Sequence, residues 1–124
     1  VIKLKLEVAE TPLSLAQGLM YRKHLPQDQG MLFKFQRVLE AGFWGKDTYI
    51  PLDVAFLDTD GMITSIKPIT PMSTRLIHSD GDCTMAIEAN AGFFADNNIH
   101  IGHQVEFIKN QQGKEVAVVF QAHK

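Results

Sequence analysis

The run F-W-G-K-D-T-Y-I-P-L-D-V-A-F-L-D-T-D-G, Phe43 to Gly61, decides how the rest of the chain is read. Its first half is crowded with polar and aromatic side chains, Trp44 among them. Its second half turns abruptly apolar. Val54 to Leu57 reads as a short buried strand, and Asp58-Thr59-Asp60-Gly61 turns it around, since Asp-Gly is a strong hairpin signal. Met62 to Ile69 then alternates, Met62, Thr64 and Ile66 against Ile63, Ser65 and Lys67, which predicts the returning strand.

Outward from this hairpin the same period of two recurs. Ile2, Leu4, Leu6 and Val8 face away from Lys3, Lys5 and Glu7, a half-buried strand. Gly30 to Phe35, Cys83 to Glu88, Gln104 to Lys109 and Glu115 to Phe120 are further strands, the last two paired around Gln111-Gln112-Gly113. Thr11-Pro12 is a helix start, with threonine as N-cap and proline at the first helical position. Leu13, Ala16 and Met20 fall at helical spacing, as do Leu15 and Leu19. The near absence of charge from Pro12 to Tyr21 predicts a helix buried on most sides. Gly18 inside that helix implies a close backbone contact. Asn90 is the expected cap of a second helix over Ala91 to Asn97. Arg22 to Gln29 reads as a loop, Gln36 to Ala41 as a connection without assigned form, and Thr70 to Asp82 as the longest loop. These elements amount to about seven short strands and two short helices, a mainly β single domain over residues 1–124, built as a small barrel or sandwich.

The formal net charge of -2 weighs against a nucleic-acid partner, which phosphate contacts would mark with a basic excess. No apolar run approaches the roughly 18 residues of a membrane-spanning helix, and no signal-peptide pattern is present. A single cysteine, Cys83, excludes an internal disulfide and reads as a small buried hydrophobe. His100-x-x-His103 lacks helical spacing and further ligands, and His78 to Asp82 lacks the closing glutamate of a calcium loop, so no metal is expected. There is no phosphate loop, nucleophile elbow or zinc-protease signature, and no cofactor is expected. Oligomeric state is not set by residue types.

Candidate chemistry concentrates in the opening stretch. Trp44 offers a flat apolar face and Lys46 a cation on the same side of an extended chain. With Asp47, Tyr49 and Asp53 they form a surface suited to a small polar ligand such as a sugar or a peptide end. Arg22 and Glu88 are expected as supports, the arginine anchored by a carboxylate such as Glu88 or Asp53. A non-catalytic binding module is the leading expectation. The same residues admit a hydrolase using Asp47 or Asp53 with Lys46 as acid and base. They also admit a purely structural or protein-interaction role, with Trp44 at the core edge and Asp53 accepting backbone hydrogen bonds after Pro51.

Taken in order, G-L-M-Y-R (Gly18–Arg22), L-P-Q-D-Q-G-M-L-F (Leu25–Phe33), F-W-G-K-D-T-Y-I-P-L-D (Phe43–Asp53), F-L-D-T-D-G (Phe56–Gly61), A-I-E-A-N-A-G (Ala86–Gly92) and I-H-I-G-H-Q-V (Ile99–Val105) resemble the domain-of-unknown-function family 192, the UPF0127 group. The resemblance implies a mainly β, barrel-like fold and a prokaryotic source. Many members carry signal peptides or lipoprotein anchors, which implies an extracytoplasmic setting; it supplies no activity. The family's central motif reads F-W-M-K-N-T, so Gly45 stands for a methionine and Asp47 for an asparagine. Gly45 is expected to loosen the motif's backbone, and Asp47 to add a negative charge beside Lys46. His103 stands where an aspartate is common.

Overall fold

Hydrophobic alternation at a period of two forces each strand to present one face to each side of a sheet. In the computed structural model, which describes residues 2–121, the strands join into one sheet with apolar clusters on both faces. The elements are β1 (Ile2–Ala9), α1 (Pro12–Gln17), β2 (Gln29–Phe43), β3 (Leu52–Leu57), β4 (Ile63–Ile69), β5 (Ile77–Asn90), α2 (Phe93–Asp96), β6 (Gln104–Lys109) and β7 (Glu115–Gln121). The seven strands lie in the order β4-β3-β5-β2-β1-β7-β6. Of the neighbouring pairs only β1 and β2 run parallel, and α1 sits in the crossover that a parallel pair requires.

The sheet curls into a half-barrel whose edges meet at one end. Met62 bridges Gln104, Ile63 N–H donates to the His103 carbonyl (2.9 Å), and Gly102 N–H donates to the Ile63 carbonyl (2.8 Å). One face buries Met31, Phe33, Val54, Phe56 and Ala86 together with Leu19 and Leu25. The other buries Leu32, Ala55, Ile87, Phe94, Val118 and Phe120. The mainly β expectation, with its strand and helix counts, is met, and the sheet curls as a half-barrel.

Four local expectations are corrected. First, α1 ends at Gln17 and buries none of its residues; Leu13 is 75% exposed. Its cap is as expected: Thr11 Oγ1 accepts from Ser14 N–H (3.1 Å), and Ser14 Oγ accepts from Thr11 N–H in return. Gly18, at φ +50° and against the Phe33 ring, stops the helix so that Leu19 can enter the core. Second, Gln36 to Ala41 is strand: β2 runs on to Phe43 through two register shifts, with Gln36 at φ +62°, and such bulges hide the alternation. Third, β5 begins at Ile77, so the loop is confined to 70–76. Ser79 is the internal fastener of that arm, its Oγ accepting from Ala41 N–H (2.9 Å) and donating to the Gly81 carbonyl (2.6 Å). Fourth, α2 is capped by Gly92 at φ +88°; Asn90 instead donates to the Leu25 carbonyl (2.7 Å).

Candidate functional site

On the face of the sheet that α1 covers, one position breaks the apolar rule. Glu88 of β5 lies in register with Met31 of β2 and Val54 of β3, where alternation calls for a hydrophobe. It is 4% exposed, and among the described residues no hydrogen bond or ion pair reaches its carboxyl group. Burial alone pushes its pKa up to about 8, because the charged form has lost its water without gaining a partner.

Glu88 lines a cleft of about 280 Å³. Phe33, Phe35 and Phe43 supply an aromatic wall, with Phe43 edge-on to Phe33 at 4.9 Å between centroids. Gly18, Leu19 and Met20, just past α1, and Trp44 and Thr48 of the turn complete the lining, with Gly18 against the Phe33 ring. Among the described residues Glu88 is the only ionisable side chain in the lining.

The signature stretch holds this cleft in shape. Phe43 ends β2, and Trp44 to Pro51 leads into β3 as a turn. Asp47 sits at φ +54°, a left-handed conformation that Asn and Asp tolerate better than other non-glycine residues. Tyr21, itself at φ +67°, docks on it twice: its N–H donates to the Asp47 carbonyl (2.8 Å) and its hydroxyl to Asp47 Oδ2 (3.2 Å). That clasp ties the segment after α1 to the turn, and the hydroxyl bond pushes the Tyr21 pKa up. Gly45 is clamped, contrary to expectation. Its N–H donates to Ser73, its carbonyl accepts from Thr48 and Met72, and a Cβ there would overlap the Thr70 carbonyl.

The residues expected to form one surface are thus divided. Trp44 and Glu88 share the cleft. Lys46 stacks on the outer face of Trp44, its Nζ 5.4 Å from the ring centroid. Tyr49 points outward, 49% exposed, and Asp47 is engaged by Tyr21. Asp53 accepts from Gly92 N–H (2.9 Å) at the start of α2, away from the cleft. Arg22 pairs with neither expected carboxylate. It forks onto Glu7 of β1, with Nη2 2.8 Å from Oε1, and this bond lowers the Glu7 pKa. Thr48, Phe33 and Phe43 escaped the sequence reading as site residues. Their apolar or turn-like setting gave no chemical signal, whereas Glu88 was visible as a charge inside an alternating strand.

Among the described residues no cluster of three or more metal-ligating side chains exists. Nδ1 of His103 accepts from His100 N–H (3.2 Å), a local turn contact. Burial pushes the Cys83 thiol up, away from the reactive thiolate. Among the described residues no helix is long and apolar enough to cross a membrane.

No functionally curated protein matches the chain. Two crystal structures are similar to it. One is of a candidate transcription regulator from Sinorhizobium meliloti 1021, 36% identical, covering 82% of this chain and 79% of that one at a TM-score of 0.80. The other is of a protein of unknown function from Novosphingobium aromaticivorans, 31% identical, covering 84% and 75% at a TM-score of 0.81. Over residues 2–107 the sequence matches the model of DUF192, Uncharacterized ACR, COG1430, and with the half-barrel and its signature turn in view the chain belongs to that family.

Proposed function

We propose that this domain is a binding module whose cleft takes a small ligand, an apolar or flat part lying between the aromatic wall and Trp44 and a polar group reaching Glu88. The observation that carries this reading is the buried carboxyl of Glu88, aimed into an open cleft with no partner of its own. Such a group destabilises the fold by itself, and a hydrogen-bonding ligand would compensate it. The cleft is near the small end of ligand-pocket sizes, which suits a metabolite or a single terminal residue of a peptide.

The hydrolase alternative draws no support from the geometry, since Lys46, Asp47 and Asp53 do not converge on the cleft. The Sinorhizobium protein is described as a transcription regulator, and a DNA-reading role for this chain draws no support from the geometry either. Helices of six and four residues are short for a major-groove reader, and the net charge is -2. The structural reading has support of its own at Gly45, Asp47 and Asp53, which hold the turn and α2 through backbone bonds. It does not account for Glu88.

Fragment screening by amide NMR tests the proposal. Shifts should cluster on Gly18 to Met20, Phe33, Trp44, Thr48 and Glu88. Hits confined to the opposite face of the sheet would sink it. Trp44 is 39% exposed, so Trp44→Ala should cost less than about 2 kcal/mol of stability while removing those shifts.

A further inference from the structure

The cleft's polarity is one-sided. Among the described residues its lining contains a carboxyl group and no cationic side chain, so an anionic ligand would find no matching charge. Glu88 stands in register with Met31 of β2 and Val54 of β3 and shares the cleft with Phe33, Leu19 and Thr48, and none of these is ionisable. The Thr48 hydroxyl is already committed to the Lys46 carbonyl (3.0 Å). What remains is an aromatic wall beside a lone carboxyl group. Ring faces attract cations, more strongly when water is excluded.

We propose that the cleft is a receptor for an organic ammonium group carried on a short apolar body, with Glu88 as its counter-ion, the Phe43 ring as a cation-attracting neighbour and Trp44, whose ring already carries Lys46, as an apolar wall. This rests on the binding-module reading and narrows it to a ligand class. A free small amine and the N-terminal amine of a peptide share the chemistry. At pH 7 the empty site holds Glu88 protonated, so an arriving ammonium ion displaces that proton to solvent and leaves a carboxylate–ammonium pair.

The test is calorimetric titration of the protein with 2-phenylethylamine and with its neutral counterpart 2-phenylethanol, in two buffers of different ionisation enthalpy at pH 7. The amine should bind at least about tenfold more tightly than the alcohol, with a buffer-dependent heat that reports proton release. Glu88→Gln should abolish both the preference and the proton release. Glutamine keeps the size of the side chain and breaks no internal bond, and an amide NMR spectrum verifies its fold. Equal or tighter binding of the alcohol, or a preference that survives Glu88→Gln, overturns the ammonium assignment while leaving the cleft as a binding site. No response of cleft residues to either probe or to a fragment panel removes both readings. A peptide amide Phe-Gly-Gly with a free amine, compared with its N-acetylated form, separates the sources. Tighter binding than 2-phenylethylamine, lost on acetylation, supports a peptide end. Weaker binding supports a free amine.

Discussion

Glu88 is a single residue with a measurable signature of its own. Its folded-state pKa of about 8 lies above the ordinary 4.5, so the folded protein holds a proton that the unfolded chain has released across that interval. The contribution of Glu88 to stability is therefore fullest below about pH 4.5 and falls as pH rises towards 8, with a slope approaching 1.4 kcal/mol per pH unit, about the value for one proton. Urea unfolding at a series of pH values should show this slope in the wild type and its loss in Glu88→Gln. Gly45 makes the opposite kind of prediction. Restoring the family's methionine there should destabilise by about 1–3 kcal/mol or more, because the Thr70 carbonyl occupies the space of a Cβ. Thermal melts of Gly45→Met and Gly45→Ala measure it, and both should fall. The sequence exposed Gly45 as a departure but reversed its meaning, since a glycine read alone signals freedom while here it signals contact. Asp47 was legible as a charge and illegible as a left-handed turn residue, which is the property it shares with the family's asparagine.

At the scale of elements, legibility followed regularity. β1 alternates, β6 and β7 are bounded by clear turn residues, and the predicted and observed limits of all three differ by at most one residue. β2 and β5 were truncated in the reading because their outer arms bend through bulges and carry polar residues on both faces, leaving no period to detect. α1 was over-read as buried. Its apolar residues serve a cleft wall and a half-open rim, and composition cannot distinguish a wall from a core. The outer arm of β5 depends on Ser79, whose hydroxyl satisfies Ala41 N–H at a register shift. Ser79→Ala should cost about 1–3 kcal/mol by orphaning that donor, with amide exchange accelerating locally at Ala41. Unchanged exchange there would show that water replaces the hydroxyl without penalty. The cleft itself was half legible. Its charge and its tryptophan stood out in the sequence, but they belong to distant segments that the β2–β5 pairing brings together, which no local pattern announces.

At the scale of the molecule, a single sheet carries two apolar clusters, and its curl brings β4 and β6 together at one end. The strand order interleaves early and late segments. β2 is hydrogen-bonded to β1 and β5, while β1 is also paired with β7, joining Ile2 to Phe120 and Leu4 to Val118. That antiparallel seam has a kinetic consequence. The half-barrel cannot acquire its β1–β7 pairing until both ends of the chain are available, and contacts of such sequence separation are slow to close. Refolding should therefore proceed on the millisecond-to-second scale, later than the β3–β4 hairpin, which is local and turned by Asp58 to Gly61. In stopped-flow experiments, Val118→Ala should speed unfolding more than it slows folding, whereas Phe56→Ala in the hairpin should do the reverse. On a ribosome, every segment that lines the cleft would emerge before β7, and β1 would wait with one edge unpaired until β7 arrives.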